Sequence, residues 1–134
     1  MASKYVLDTH ALVWYLEGSP RLSTRAKAIV DDSSNQLVVP LIVLAEAAFL
    51  VERGRIAISS VPNLLSDVQA DPCIEVYPLT WDVFQQTLVA TSIPEMHDRL
   101  IVATALHLQA LGHTVALVTR DAMITQSGLI PIIW

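Results

Sequence analysis

Along Tyr5-Val6-Leu7-Asp8-Thr9-His10-Ala11-Leu12-Val13-Trp14-Tyr15-Leu16 the hydrophobic period changes at Asp8. The apolar run 5–7 ends there. Ala11, Leu12, Tyr15 and Leu16 then recur with helical spacing, so a strand passes directly into a helix that Gly18 and Pro20 close. The same step returns downstream. Residues 37–39 read as a strand, and Pro40 takes the first position of a helix that stops before Gly54. Residues 74–79 read as a strand and 80–90 as a helix; residues 115–118 are an apolar β-branched run, after which Asp121 opens a short helical turn. Helices are also expected over 23–30, 62–70 and 98–111, with a last strand over 130–133. Strands alternating with helices predict an α/β fold, a three-layer sandwich around a central parallel sheet, with ligands beyond the carboxyl ends of the strands.

The 134 residues suit one domain, 1–134, and neither a repeat nor a linker interrupts them. The chain is 53% hydrophobic and only 16% charged, which excludes disorder and predicts a large core or a subunit interface. Eight Lys and Arg against thirteen Asp and Glu give a net charge of −5, the wrong sign for gripping nucleic acid by bulk electrostatics. The lone Cys73 forms no internal disulfide and reads as a small buried hydrophobe. The longest apolar stretch, 37–51, is interrupted by Pro40 and Glu46 and is shorter than the roughly 20 residues of a membrane span. No secretory signal pattern opens the chain, so the expected location is the cytoplasm.

Four carboxylates stand out. Asp8 and Asp121 each follow a strand and precede a helix, and Asp98 opens one, so each could be an ordinary N-cap. Glu46 is different: Ile42, Val43, Phe49 and Leu50, three and four residues away, are all apolar, so its helix face should be buried. A buried carboxylate must be protonated, paired, hydrogen-bonded or bound to a cation. Gathered on one rim, the four would repel one another, whereas hard divalent ions favour such oxygen ligands; Mg2+ or Mn2+ is the natural occupant. Two such ions, carrying four positive charges, would take the formal charge from −5 to −1 and present local positive charge to a phosphodiester. The predicted chemistry is metal-assisted phosphodiester hydrolysis.

These residues resemble the PIN-domain family, specifically the VapC-like toxins of toxin-antitoxin pairs, over essentially the whole chain. The landmarks are Val6-Leu7-Asp8-Thr9-His10-Ala11-Leu12, Glu46, His97-Asp98-Arg99-Leu100-Ile101-Val102-Ala103-Thr104-Ala105 and Thr119-Arg120-Asp121. The resemblance assigns Asp8, Glu46, Asp98 and Asp121 to the family's acidic metal-binding positions and Thr119 to its small hydroxyl position. It implies a Mg2+- or Mn2+-dependent endoribonuclease acting on RNA and inhibited by a cognate antitoxin. The apolar helix around Glu46 and the low charge support an extensive contact surface, for a homodimer or for capture of an amphipathic antitoxin segment.

Plainer roles fit the neighbouring residues. Thr9 reads as a helix-start hydroxyl and His10 as packing. Arg99 and Arg120 could contact phosphate, but surface charge pairing is the simpler expectation. Glu95 and His97 approach from a loop and receive no catalytic role. Trp14, Tyr15 and Trp81 read as packing rather than base-stacking residues. Two other functions compete: a catalytically weak or inactive PIN-like protein-binding module, and a phosphoacceptor domain using Asp8. The second is disfavoured because neither Lys4 nor Lys27, the only lysines, lies at a late strand end, and His10 stands where a haloacid-dehalogenase-like site would have a second acid.

Overall fold

The computed structural model describes residues 3–134. Five strands, β1 (Lys4–Leu7), β2 (Gln36–Pro40), β3 (Ile74–Tyr77), β4 (Val115–Val118) and β5 (Ile132–Ile133), form one sheet in the order β3-β2-β1-β4-β5. Every pairing is parallel. Among the described residues the flanking helices are α1 (Thr9–Glu17), α2 (Thr24–Asp31), α3 (Leu41–Glu52), α4 (Val61–Ala70), α5 (Trp81–Gln86), α6 (Met96–Ala110) and α7 (Ala122–Ser127), with a 3-10 turn at Thr87–Val89. Successive strand residues point to opposite faces, yet Leu37, Val38 and Val39 are all fully buried, as are Leu117 and Val118. Both faces are therefore covered, as a parallel sheet requires. Burying a side chain such as Leu7, Leu12, Leu37 or Leu117 contributes about 1.5–3 kcal/mol.

The strand order positions the site. The chain runs outward from β1 through β2 to β3, then crosses back to the other side of β1 to lay down β4 and β5. The order reverses between β1 and β4, and loops leaving adjacent strands toward opposite sides open a crevice at that point. Leu7 is in register with Val118, and the Asp8 N–H donates to the Val118 carbonyl at 3.3 Å, so Asp8 and Thr119 emerge side by side.

Local chemistry shifts several expected boundaries. Pro40 does not start α3: its ψ of 141° is extended, it pairs in register with Tyr77, and α3 begins at Leu41. Proline's fixed φ suits a strand's end as well as a helix's start. The third strand stops at Tyr77, ahead of Pro78, which offers no ladder N–H. The helix expected over 80–90 tightens into the 3-10 turn after Gln86. Cys73 is only half-buried, and Trp81, expected as core or partly buried packing, is 70% exposed. No helix among the described residues is long and apolar enough to cross a membrane.

Candidate functional site

Asp8 leaves β1 with extended backbone and caps α1, its Oδ1 accepting the Ala11 N–H at 2.8 Å. Its Oδ2 accepts the hydroxyl of Thr119. Thr119 is fully buried at the end of β4, and its Oγ1 also accepts the Asp121 N–H at 3.0 Å. Asp121 caps α7 in turn, its Oδ1 accepting the Ile124 N–H at 2.9 Å. One buried hydroxyl thus ties the carboxylate at the end of β1 to the backbone of the carboxylate beyond β4. The sequence supplied Thr119 only through resemblance; this double contact supplies the physical reason.

Glu46 reaches the same crevice from α3, held by the Thr9 hydroxyl, which donates to its Oε1. The buried face expected for Glu46 is only partly found: Val43 is fully buried, but Ile42 and Leu50 are half-buried and Phe49 is 51% exposed. Glu46 is itself half-buried. Because α3 is apolar almost all round, its neighbours could not reveal which face turns inward. Thr9, expected as a helix-start hydroxyl, is instead a buried bridge from α1 to α3.

Asp98 is not the cap of its helix. α6 begins at Met96, and Glu95 caps it, with Oε2 accepting the Asp98 N–H at 3.0 Å and Oε1 meeting His97 Nδ1 at 2.8 Å. Asp98 is left in the first turn, half-buried. Burial pushes its carboxyl up to about 6, and the nearby charges of Asp121, Glu95, Asp8 and Glu46 add to the rise. The Asp8 carboxyl is also raised, chiefly by burial, against the opposing hydrogen bonds from Thr119 and Ala11 and the influence of His10; Asp121 adds to the rise.

All four acidic residues line one cavity of about 420 Å³. Its donor set of carboxylates suits a hard divalent ion. Among the described residues, however, no three His, Cys, Asp or Glu side chains are grouped so as to hold one ion between them. The four share a pocket rather than a preformed cage. Mg2+ fits such a site, since it keeps several waters and binds through one or two carboxylates plus substrate phosphates.

The same cavity is also lined by cations. Arg120 and Arg21 line the cavity, their guanidinium carbons 4.8 and 6.0 Å from the ring centroid of Trp14, and neither meets a carboxylate among the described residues. Surface charge pairing, expected for Arg99 and Arg120, occurs for neither. Arg99 instead donates to the carbonyls of Ile93 and, at 3.2 Å, Thr91, pinning the turn before α6. Arg21 was not singled out in the sequence, and its position after Pro20 carries no periodic signal that would have placed it here.

The protein is thus an α/β protein whose acidic crevice lies at the carboxyl ends of β1 and β4. It belongs to the PIN-domain family, whose model matches residues 5–127. Its fold is similar to that of DNA-bound VapBC from Salmonella typhimurium, with a TM-score of 0.68 at 17% identity over 97% of this chain and 96% of that one. VapBC2 from Rickettsia felis, bound to a promoter DNA fragment, gives 0.67 at 16% over 96% of each chain. VapC20 from Mycobacterium tuberculosis, a toxin that cleaves the Sarcin-Ricin loop, gives 0.63 at 15% over 92% and 95%. No curated protein matches at the sequence level. The chain is a PIN domain with structural similarity to VapC toxins.

Proposed function

We propose that residues 1–134 form one PIN nuclease domain, a Mg2+- or Mn2+-dependent endoribonuclease that acts in the cytoplasm as the toxin of a VapBC-type pair. The observation that carries this reading is the meeting of Asp8, Glu46, Asp98 and Asp121 in one cavity at the switch point of the sheet. The fold shared with a toxin that cleaves the Sarcin-Ricin loop supports cleavage of RNA, and the fold shared with VapBC supports an antitoxin partner.

In this reading Asp8, Glu46, Asp98 and Asp121 are the metal-holding side chains. A divalent ion there would bind phosphate oxygens and favour deprotonation of an attacking water. The rest is positioning by the chain. Thr119 fixes the Asp8 carboxylate through Oδ2 while the Ala11 N–H fixes Oδ1. Thr9 orients Glu46, and the Ile124 N–H orients Asp121. Fixed carboxylates lose little freedom when an ion arrives, which is what preorganisation contributes to catalysis.

The test is incubation of pure protein with single-stranded and structured RNA and with DNA, in Mn2+, Mg2+ or EDTA. RNA should be cut internally with either metal and remain intact in EDTA. The rival reading is a catalytically weak or inactive protein-binding module. Intact RNA under every condition would overturn the nuclease and favour that module.

The homodimer belongs to the same proposal. Trp81, Leu88 and Val89 are 70, 64 and 61% exposed on α5 and the turn that follows it. A second copy would cover these exposed apolar side chains, with Phe84 between them. Trp81→Ser with Leu88→Ser should convert a sedimenting dimer to monomer; an unchanged sedimentation coefficient would rule this face out.

A further inference from the structure

A second cavity, of about 560 Å³, adjoins the first and meets it at His10, Trp14 and Arg21. Its far wall is the loop 53–60, tied to the end of α1 where the Ala57 N–H donates to Glu17 Oε2 at 2.6 Å. Arg55 on that loop also lines the cavity, and like Arg21 and Arg120 it meets no carboxylate among the described residues. Three of the eight basic residues of an acidic chain therefore line two joined cavities and make no ion pair among the described residues, although Asp8, Glu46, Asp98 and Asp121 line the same cavity as Arg21 and Arg120, and Glu17 lines the second. Trp14 seats two of these three guanidiniums by cation–π contact. Being only 5% exposed, it serves as their platform and has no free face for a base.

Resting on the nuclease reading above, we propose that Arg120, Arg21 and Arg55 form a phosphate track that leads single-stranded RNA from the acidic cavity, across Trp14, into the second cavity. Arginine suits phosphate because its planar fork donates two parallel hydrogen bonds. The second cavity has the size of a small-ligand site, with room for one neighbouring nucleotide. The track solves the electrostatic problem of the acidic chain locally: the strand is drawn in by fixed cations on one side, while the carboxylates face the bond to be cut. Arg21, shared by both cavities, is the residue every bound strand must pass.

The test measures binding apart from cleavage. A fluorescent single-stranded RNA 12-mer is titrated with Asp8→Asn protein in EDTA, and anisotropy is followed at several KCl concentrations. Each phosphate contact on a single strand adds about 0.7 to the salt slope of log K. Arg21→Gln and Arg120→Gln should each lower the slope by about 0.7 and weaken binding about fivefold, the upper end for an exposed ion pair. Arg25→Gln, on the exposed surface of α2, should change neither, and duplex RNA should bind without sensitivity to Arg21. An unchanged slope in Arg21→Gln overturns the track, as does an equal fall in Arg25→Gln. Failure to bind RNA while an acidic peptide binds with Arg21 dependence overturns it in favour of a protein ligand. Cleavage by the wild type in Mn2+ is assayed alongside. Cleavage with an unchanged slope sinks the track alone, and a reduced slope without cleavage sinks the nuclease reading alone.

Discussion

If the proposed nuclease reading holds, Asp8→Asn should lower RNA cleavage about a thousandfold and leave the fold intact. The magnitude follows from removing several kcal/mol of metal-dependent charge stabilisation, at 1.36 kcal/mol per tenfold in rate. The fold survives because Asn is as good an N-cap as Asp, so the Ala11 N–H keeps its acceptor. The replacement also removes a charge whose burial is unfavourable, since the Asp8 carboxyl is raised mainly by burial. Thr119→Val should fall less, about ten- to a hundredfold, because it releases the Asp8 carboxylate without deleting it. The checks are single-turnover cleavage and a thermal melt of each variant. A folded Asp8→Asn protein that cleaves at the wild-type rate refutes the assigned site.

In the same reading, saturating Mn2+ should raise the melting temperature by about 10 °C at pH 7.5. An ion at a hundred times its dissociation constant contributes about 2.7 kcal/mol, and a chain of this size gains a few degrees per kcal/mol. Asp98 contributes to the pH dependence, because its carboxyl stands at about 6 in the folded protein, above its ordinary 3.8, and burial raises Asp8 in the same direction. A raised carboxyl means that the folded state holds the proton more tightly than the unfolded state. The stability this group contributes is therefore fully present below about pH 4 and is lost as pH rises through 6. Metal-free Asp98→Asn should accordingly melt above the wild type at pH 7.5, with the gap closing toward pH 4. The Mn2+ increment should shrink at pH 5, where Asp98 is protonated, and fall sharply in Asp98→Asn at any pH. Equal Mn2+ increments in the variant and the wild type would remove Asp98 from the metal site. Differential scanning fluorimetry with Mn2+ or EDTA measures all of this.

Much of the site was legible because it coincides with punctuation in the chain. Asp8 and Asp121 stand where a β period gives way to a helical one, and both prove to be caps at strand ends. Asp98 was placed on the right helix, but its expected capping role falls to Glu95, which begins that helix earlier. Glu46 was singled out for a buried face that is in fact half open. What orients it is Thr9, a contact between residues 37 positions apart that no local pattern encodes. Arg120 was visible as a neighbour of Asp121, whereas Arg21 was not, since only the packing of α1 sets both over the same indole.

Local period and turn chemistry determined by themselves the alternation of strand and helix, the parallel sheet, and the placing of acidic residues where strands end. These are short-range preferences, carried by residues a few positions apart. The crossing from β3 back over β1 to β4 was decided only in three dimensions, and with it the crevice that brings Asp8, Thr119 and Asp121 together. Which groups face one another across that crevice depends on long-range packing energy, to which neighbouring residues in the chain contribute no signal.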